Sequence, residues 1–438
     1  MPFKLFCAAL GLALAAHAEA ATLSEVYREA LAADAPYASA RAAYRAALEK
    51  LPQGRAGLLP TVNLGANLRW NDVNSSLPGG DSQFSSNGLA LSAAQPVFRQ
   101  QNRLQYDEAK NQVRIAELQL KAAEQDLILR TARAYFDVLQ SRDNIAFIQA
   151  QKAAIAEQLA AARRNFEVGT ATITDTHEAQ ARFDLASAQE IGEQNTLEIR
   201  LRVLEKIIGK PAEPLAPLDA RAPLGVPEPH SIDDWAGRAA NGNLQAAIQR
   251  IAREIADQEV ARNRAGHYPT LDAVASYNVN NNQNLGALKV DTRTAVLGLE
   301  FNLPIYQGGL TSARVREAVA NQDKSRADVD NALREANLAA RSAFLNATSG
   351  EAQVRALEQA LRSSQTQLAS TRLGVEVGVR TSLDLLNAEQ QVLSAQRDLA
   401  AARYRLILAT LELKAAAGTL GADDLADIDR HLTPARAK

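Results

Sequence analysis

The chain has 438 residues, room for two or three ordinary domains, and its 48 basic and 50 acidic side chains leave a formal net charge of −2. That balance excludes the basic footprint of a nucleic-acid-binding surface, and a single cysteine excludes an intramolecular disulfide or a cysteine-based zinc site. Aromatics are only 5% while roughly one residue in five is alanine, a composition that favours long helices with thin interfaces over a bulky core.

Residues 1–20 read as an export signal. Lys4 supplies a positive start, Leu5 to Ala16 is an apolar stretch too short to cross a bilayer, and Ala18-Glu19-Ala20 fits a small-x-small cleavage site. Cys7 lies inside the apolar stretch and follows no lipobox, so an unmodified mature N-terminus at Ala21 is expected. A helix is predicted next, from Leu23 to Ala56. After Pro60 the period changes to two: Val62, Leu64, Ala66, Leu68 and Trp70 alternate with polar residues, which predicts a strand over about 61–71. A weaker alternation predicts a second over about 86–95.

The tract from Pro96 to Pro211 has no internal proline and is rich in Ala, Leu, Gln, Glu and Arg, which reads as long helix. Val113, Ala116, Leu120, Ala123, Leu127, Thr131, Ala134 and Val138 form a coiled-coil-like stripe with one stutter. Arg99 to Val168 would span roughly 105 Å as helix, broken at Gly169 and followed by a shorter return from Ala171 to Ile208. The proline-rich stretch 210–230 is a linker. A helix from Ser231 to Ala265, strands over about 270–280 and 294–303, a long helix from Gly309 to Val377 and a return from Ser382 to Ala417 complete the order, with 419–438 as a tail. No run after the leader approaches the length of a membrane-spanning helix.

The punctuation repeats. Arg55-Ala56-Gly57 returns as Arg264-Ala265-Gly266, Pro60-Thr61 as Pro269-Thr270, Pro96 as Pro304, Val168-Gly169 as Val377-Gly378, Asp175 as Asp384 and Gly209 as Gly418, each 208 or 209 residues on. The chain is therefore an internal duplication, with repeats over 21–209 and 231–418, each a helical hairpin about 100 Å tall. Strands of about ten residues with one apolar and one polar face match transmembrane β-barrel strands. Four strands cannot close a barrel, and an open edge is not tolerated in lipid, so the chain must oligomerise. Three copies would give twelve strands; periodicity alone does not choose three.

These segments also carry a resemblance. Thr22-Leu23-Ser24-Glu25-Val26-Tyr27, Leu58-Leu59-Pro60, Thr131 to Leu139, Phe166-Glu167-Val168-Gly169, Ile173-Thr174-Asp175, Leu303 to Gly309 and Val377 to Thr381 resemble, in order and over essentially the whole mature chain, the TolC family of bacterial outer-membrane export channels. The resemblance implies a mainly α protein with transmembrane β: a homotrimer whose long α-helical hairpins form a periplasmic α-barrel and whose strands form a twelve-stranded β-barrel in outer-membrane lipid. It implies a periplasmic adaptor (membrane fusion) protein and an inner-membrane pump of RND, ABC or MFS type as partners. Drugs, other small molecules or secreted proteins would be the cargo, in efflux or type I secretion.

Carried over residue by residue, the links that hold the periplasmic gate shut involve Gln158, Thr174, Asp175 and Arg380. Two positions depart from the family: Val375 stands for the usual tyrosine, and Arg372 for the acidic partner of Gln158. The entrance ring falls on Asp384 and Asn387, the second of which replaces the usual acid, so one ring of charge is expected instead of two. Adaptor contacts fall on the turns, at Val168, Gly169 and Thr170 and at Val377, Gly378 and Val379. His177, His230, His267 and His431 have no metal-ligand spacing, no phosphate loop follows a strand, and no nucleophile arrangement can be assembled. A non-enzymatic conduit without cofactors, powered by a partner, is therefore expected. The competing reading is a trimeric coiled-coil surface adhesin with a β-barrel anchor, which would place its anchor once, at the C-terminus.

Overall fold

The computed structural model describes residues 20–74, 82–170, 172–283 and 289–433. The expected leader lies outside the described residues except for Ala20, as do parts of the loops between paired strands. In chain order the elements are α1 (Leu23–Ala33), α2 (Ala35–Leu48), α3 (Lys50–Ala56), β1 (Thr61–Val73), β2 (Ser82–Phe98), α4 (Gln100–Glu167), α5 (Ile173–Ile208), α6 (Ile232–Gly242), α7 (Leu244–Arg264), β3 (Thr270–Gln283), β4 (Lys289–Asn302), α8 (Leu310–Glu376), α9 (Ser382–Ala416) and α10 (Ala422–Asp429). No described helix is long and apolar enough to cross a membrane.

The contacts divide the chain into two compact units. One holds the described residues within 39–123 and 240–337, and its centre is an antiparallel sheet of order β1-β2-β3-β4. The two hairpins share one register: Thr61 faces Ala94 in the first, and the equivalent Thr270 faces Asn302 in the second. The middle pairing, β2 with β3, joins the two halves of the duplication. Period two carries through all four strands. Leu64, Leu91, Tyr277 and Ala295 lie side by side on one face, as do Val62, Ala93, Ala275 and Leu297. Asn63, Ser92 and Ser276 occupy the other. The apolar face is bare: Leu68, Trp70 and Leu297 are 78%, 70% and 87% exposed. A contiguous apolar sheet of this extent is not a water-facing surface. At the sheet's base the Arg99 guanidinium donates from Nε to Asp272 Oδ1 (2.9 Å) and from an Nη to Oδ2 (2.6 Å), tying the β2–α4 junction to β3.

The other unit holds the described residues within 20–38, 124–239 and 338–433. Its core is built on three to four turns of α4, where Leu127, Ile128, Ala132, Tyr135, Phe136 and Leu139 are all buried. The eight residues of the predicted α4 stripe are buried or half-buried without exception. The Tyr135 hydroxyl lies 3.1 Å from the carbonyl of Ala21 and 2.8 Å from that of Ala216, sites for its single proton. Phe136 and Tyr404 of α9 stack at 5.5 Å. The tail is not formless. Its helix α10 brings the Asp429 carboxylate onto the backbone N–H groups of Leu23 (2.9 Å) and Ser24 (3.2 Å), capping α1.

Two single helices expected from the sequence are each broken. The N-terminal one stops at Asp34, and the one after the linker stops at Asn243, 209 residues on. The cause is the same in both: a side chain caps the next helix. Asp34 accepts from the Tyr37 N–H (3.0 Å) and Asn243 from the Ala246 N–H (3.1 Å). Only the first break is charged. Arg130 grips the buried Asp34 with two bonds of 3.0 Å. Burial pushes the Asp34 carboxyl up, but the Arg130 fork and the Tyr37 N–H outweigh it, and the net shift is downward.

Arg130→Met keeps the aliphatic packing and leaves Asp34 buried without its cation. It should cost about 3 kcal/mol of unfolding free energy at neutral pH, the low end of the range because Arg130 is partly exposed. With its folded-state pKa depressed, Asp34 contributes stability above the unfolded aspartate value of about 3.9, and that contribution is lost as pH falls through the folded value. Denaturant melts across pH should therefore show the gap between the two proteins closing at strongly acidic pH.

Candidate functional site

The residues singled out at the turns fall within one unit, at the junctions α4–α5 and α8–α9. The two junctions are built identically. Each long helix ends directly before a Val-Gly pair, and the glycine takes a left-handed conformation, φ 78° at Gly169 and 77° at Gly378. Side chains with a Cβ rarely adopt that region, so glycine is required there. Carbonyls of the last turn are then satisfied from beyond the turn: Thr170 N–H bonds to Asn165 O (2.8 Å), and Val379 N–H to Gly374 O (2.9 Å). Val168, Val377 and Val379 stand 73%, 64% and 74% exposed at these turns.

Both return helices start with the same capping box. Thr172 N–H and Oγ1 each bond to Asp175 Oδ2 at 2.9 Å, and Thr172 Oγ1 accepts from the Asp175 N–H. Thr381 and Asp384 repeat this at 3.0 and 2.9 Å. Both carboxylates are consequently held below the usual range, first by the threonine backbone N–H and then by its hydroxyl; Arg380 adds a smaller charge effect at Asp384. Only Oδ2 is engaged, so Oδ1 of each aspartate is without a partner among the described residues. The Thr-x-x-Asp spacing that announces both boxes is plain in the sequence, but the aspartates were read there only as gate and ring charges.

Cross-hairpin links are also duplicated. Arg163 of α4 donates to Gln180 of α5 (2.7 Å), and 209 residues later Arg372 of α8 pairs with Glu389 of α9 (3.4 Å). Arg372 thus has an acidic partner on its own hairpin, which nothing in the residue spacing announced. Gln158 lines a cavity of about 440 Å³ together with Asn165, Asp175, Arg182, Thr381 and Ser382, so α4, α5 and the start of α9 meet there. Its Oε1 is buried with no hydrogen-bond partner. Thr174 and Asn387 are exposed and Val375 is half-buried. Within the protomer Arg380 forms no ion pair with Asp175 among the described residues. Just above the cavity Ile155, Ala186 and Leu386 form a small apolar plug across α4, α5 and α9.

Thr381→Ala removes the hydroxyl bond of the second box while leaving its carboxylate in place. The Asp384 pKa should rise toward the ordinary aspartate value, read as a shift in the carboxyl carbon titration by NMR, and the first turn of α9 should exchange its amides faster.

The family model described as "Outer membrane efflux protein" matches residues 26–210 and 236–419, one match for each half. The chain is 33% identical over 432 residues to the outer membrane protein TolC of Vibrio cholerae, covering 98% of both. It is 33% identical over 428 residues to the alkaline protease secretion protein AprF of Pseudomonas aeruginosa, covering 95% of this chain and 89% of that one. Among solved structures, CusC superposes with a TM-score of 0.79 at 15% identity, over 91% of this chain and 92% of that one. The outer membrane protein VceC of Vibrio cholerae superposes at 0.76 and 20% identity, over 90% and 96%. Bare-faced transmembrane strands set into duplicated helical hairpins thus have both a sequence match and a fold match, and the chain belongs to the outer membrane efflux protein family, as an outer-membrane channel for efflux or secretion and not an enzyme.

Proposed function

We propose that the chain works as a homotrimeric channel-tunnel, a passive conduit that a periplasmic adaptor and an inner-membrane pump open at its α4–α5 and α8–α9 turns. One observation carries this reading: among the described residues the sheet has a continuous apolar face and two unpaired edges, β1 and β4. Lipid demands that such edges be paired, and a closed ring of these sheets encloses the polar face as a lumen. The adhesin reading has no use for a strand pair in each half of a duplication. The AprF and PrtF relatives are named for protease secretion, which favours protein cargo beside small molecules. Cleavage after Ala20 would deliver the mature chain to the periplasm.

The exposed valines Val168, Val377 and Val379, with Gly169, Thr170 and Gly378, form apolar knobs suited to adaptor contact. In the ring, each copy contributes one Asp384 to the entrance, and Asn387 leaves the next position neutral. The capping bonds at Asp384 oppose the mutual repulsion of three carboxylates and keep the ring charged. At the gate, the free Oδ1 of Asp175 offers Arg380 of a neighbouring hairpin an acceptor, beside Thr174 and Gln158. Arg372 and Val375 contribute no link there, because Arg372 is held by Glu389 on its own hairpin.

Reconstituted in planar bilayers, the protein should conduct and prefer cations, and that preference should persist below the usual carboxylate range of pH. Asp384→Asn should lower the preference and weaken block by multivalent cations, Asn387→Asp should do the opposite, and Arg380→Ser should raise single-channel conductance. Reversal potentials unchanged by both ring substitutions would remove Asp384 from the constriction.

A further inference from the structure

Near residue 220 the proline-rich stretch 210–230 crosses α8 and α9 as a strap. Asp219 starts the crossing with a tight turn: its Oδ1 accepts from the Arg221 N–H (2.9 Å) and its carbonyl from the Ala222 N–H (3.1 Å). Arg403 of α9 ties the strap down. It donates from one Nη to the Ala220 carbonyl and from the other to Glu358 Oε1 of α8 (2.9 Å). Between the strap and the two helices lies an open groove of about 500 Å³. Its floor is apolar: Val354 and Leu399 are buried in one hydrophobic cluster, with Leu224 and Leu361 packed against it. Its cations are Arg221 from the strap, Arg355 and Arg362 from α8, and Arg403 from α9.

The charges in the groove do not balance. Two acids line it, Glu351 and Glu358, and each is already taken, the first by Arg355 and the second by Arg403. Arg362 reaches only the neutral Gln359 Oε1. The Arg221 guanidinium has no partner among the described residues. Two cations are therefore left over, in a chain whose net charge is −2. Arg403 Nε is a further unmet donor, buried without an acceptor. Apolar walls with a few polar groups are the usual make-up of a small-molecule site, and the volume falls in the usual range of roughly 300–1,000 Å³. Arginine suits an oxyanion there, because its planar fork meets a carboxylate or phosphate with two parallel bonds. On the other side of the Arg403–Ala220 link a second cavity, of about 370 Å³, is lined by Asp143 and Asp219. The link thus divides an acidic chamber from a basic one.

We propose that the basic groove binds a small organic anion, its carboxylate, sulfonate or phosphate held by Arg221 and Arg362 and its carbon body lying on Leu224, Val354 and Leu361. Bound there, the anion joins the strap to α8 without passing through Arg403. The site uses residues of one chain only, so it does not depend on how copies assemble.

Terephthalate is the probe, with two carboxylates on a flat apolar ring, and terephthalamide is its uncharged counterpart of the same shape. In calorimetric titrations of the detergent-solubilised protein at low ionic strength, terephthalate should bind saturably and raise the unfolding temperature. Terephthalamide should not bind. Amide exchange should slow at Ala222 and Leu224 when terephthalate is present. Arg221→Gln and Arg362→Gln should each weaken binding about tenfold, the loss of one charge-assisted bond. Both positions are exposed and hold no acid, so the variants keep the fold. Arg397→Gln, on α9 but lining neither cavity, should leave binding unchanged. No saturable binding at millimolar terephthalate would overturn the site. So would equal binding of terephthalamide, or binding that survives intact in the Arg221→Gln/Arg362→Gln double variant.

Discussion

An unpaired peptide group in hydrocarbon costs several kcal/mol, with no water to take the missing bond. This constraint governs the sheet. Among the described residues, β1 and β4 each present a row of unpaired donors and acceptors along thirteen and fourteen residues. The apolar side chains that make the sheet fit for lipid remove the alternative of leaving its edges wet. A single chain therefore carries a membrane-spanning element that is incomplete by construction. The amphipathic strands, the exposed residues after β4 and the placement of one hairpin in each repeat all follow from the need to close against something of the same geometry.

The duplication was legible because glycine, proline and the Val-Gly turns punctuate it at fixed spacing. The sheet shows where the spacing changes. The offset is 209 at Thr61 and Thr270 and 208 at Ala94 and Asn302, so the second hairpin has lost one residue between its strands while keeping its register. The offset returns to 209 by Gly169 and Gly378, after the Gly308-Gly309 turn has restored one. Alternation ends the strands too early, since polar residues such as Asp72 and Asn281 continue a ladder that alternation alone stops predicting. The helix breaks at Asp34 and Asn243 were missed for a different reason. Both side chains sit in sequence that is helical on either side, and only the capping bond reveals the change of direction. The tail helix α10 was missed because eight residues with four aspartates carry no periodic signal, and its role, capping α1 through Asp429, is a contact of very long range.

At the turns, the residue types were legible and their engagements were not. Asp175 and Asp384 are acids near a helix start, and a sequence offers two uses for such a group: a charge for a neighbour or a cap for its own helix. The structure shows them capping, and because the cap occupies a single oxygen, both uses are compatible. Arg372 illustrates the opposite case. Its pairing with Glu389 depends on two helices running side by side in a fixed stagger, which a linear reading cannot supply until the equivalent pair, Arg163 with Gln180, is seen beside it.

Covalent fusion of the two halves through the β2–β3 seam has a consequence for assembly. Each association of free bodies surrenders translational and rotational freedom worth about 4–15 kcal/mol at standard concentration. A closed ring of these sheets, built from chains that already hold two hairpins apiece, needs fewer such events than one built from single hairpins, and its formation depends less steeply on how much protein is present. Fusion also removes the requirement that every seam be alike. The seam inside the chain is free to carry the Arg99–Asp272 ion pair, while the equivalents of that pair at the two outer edges, Gln307 and Asn63, are neutral amides. A charge left unpaired while the sheet inserts would be a far greater obstacle than an amide, so the division of chemistry between the two kinds of seam matches the order in which they can form.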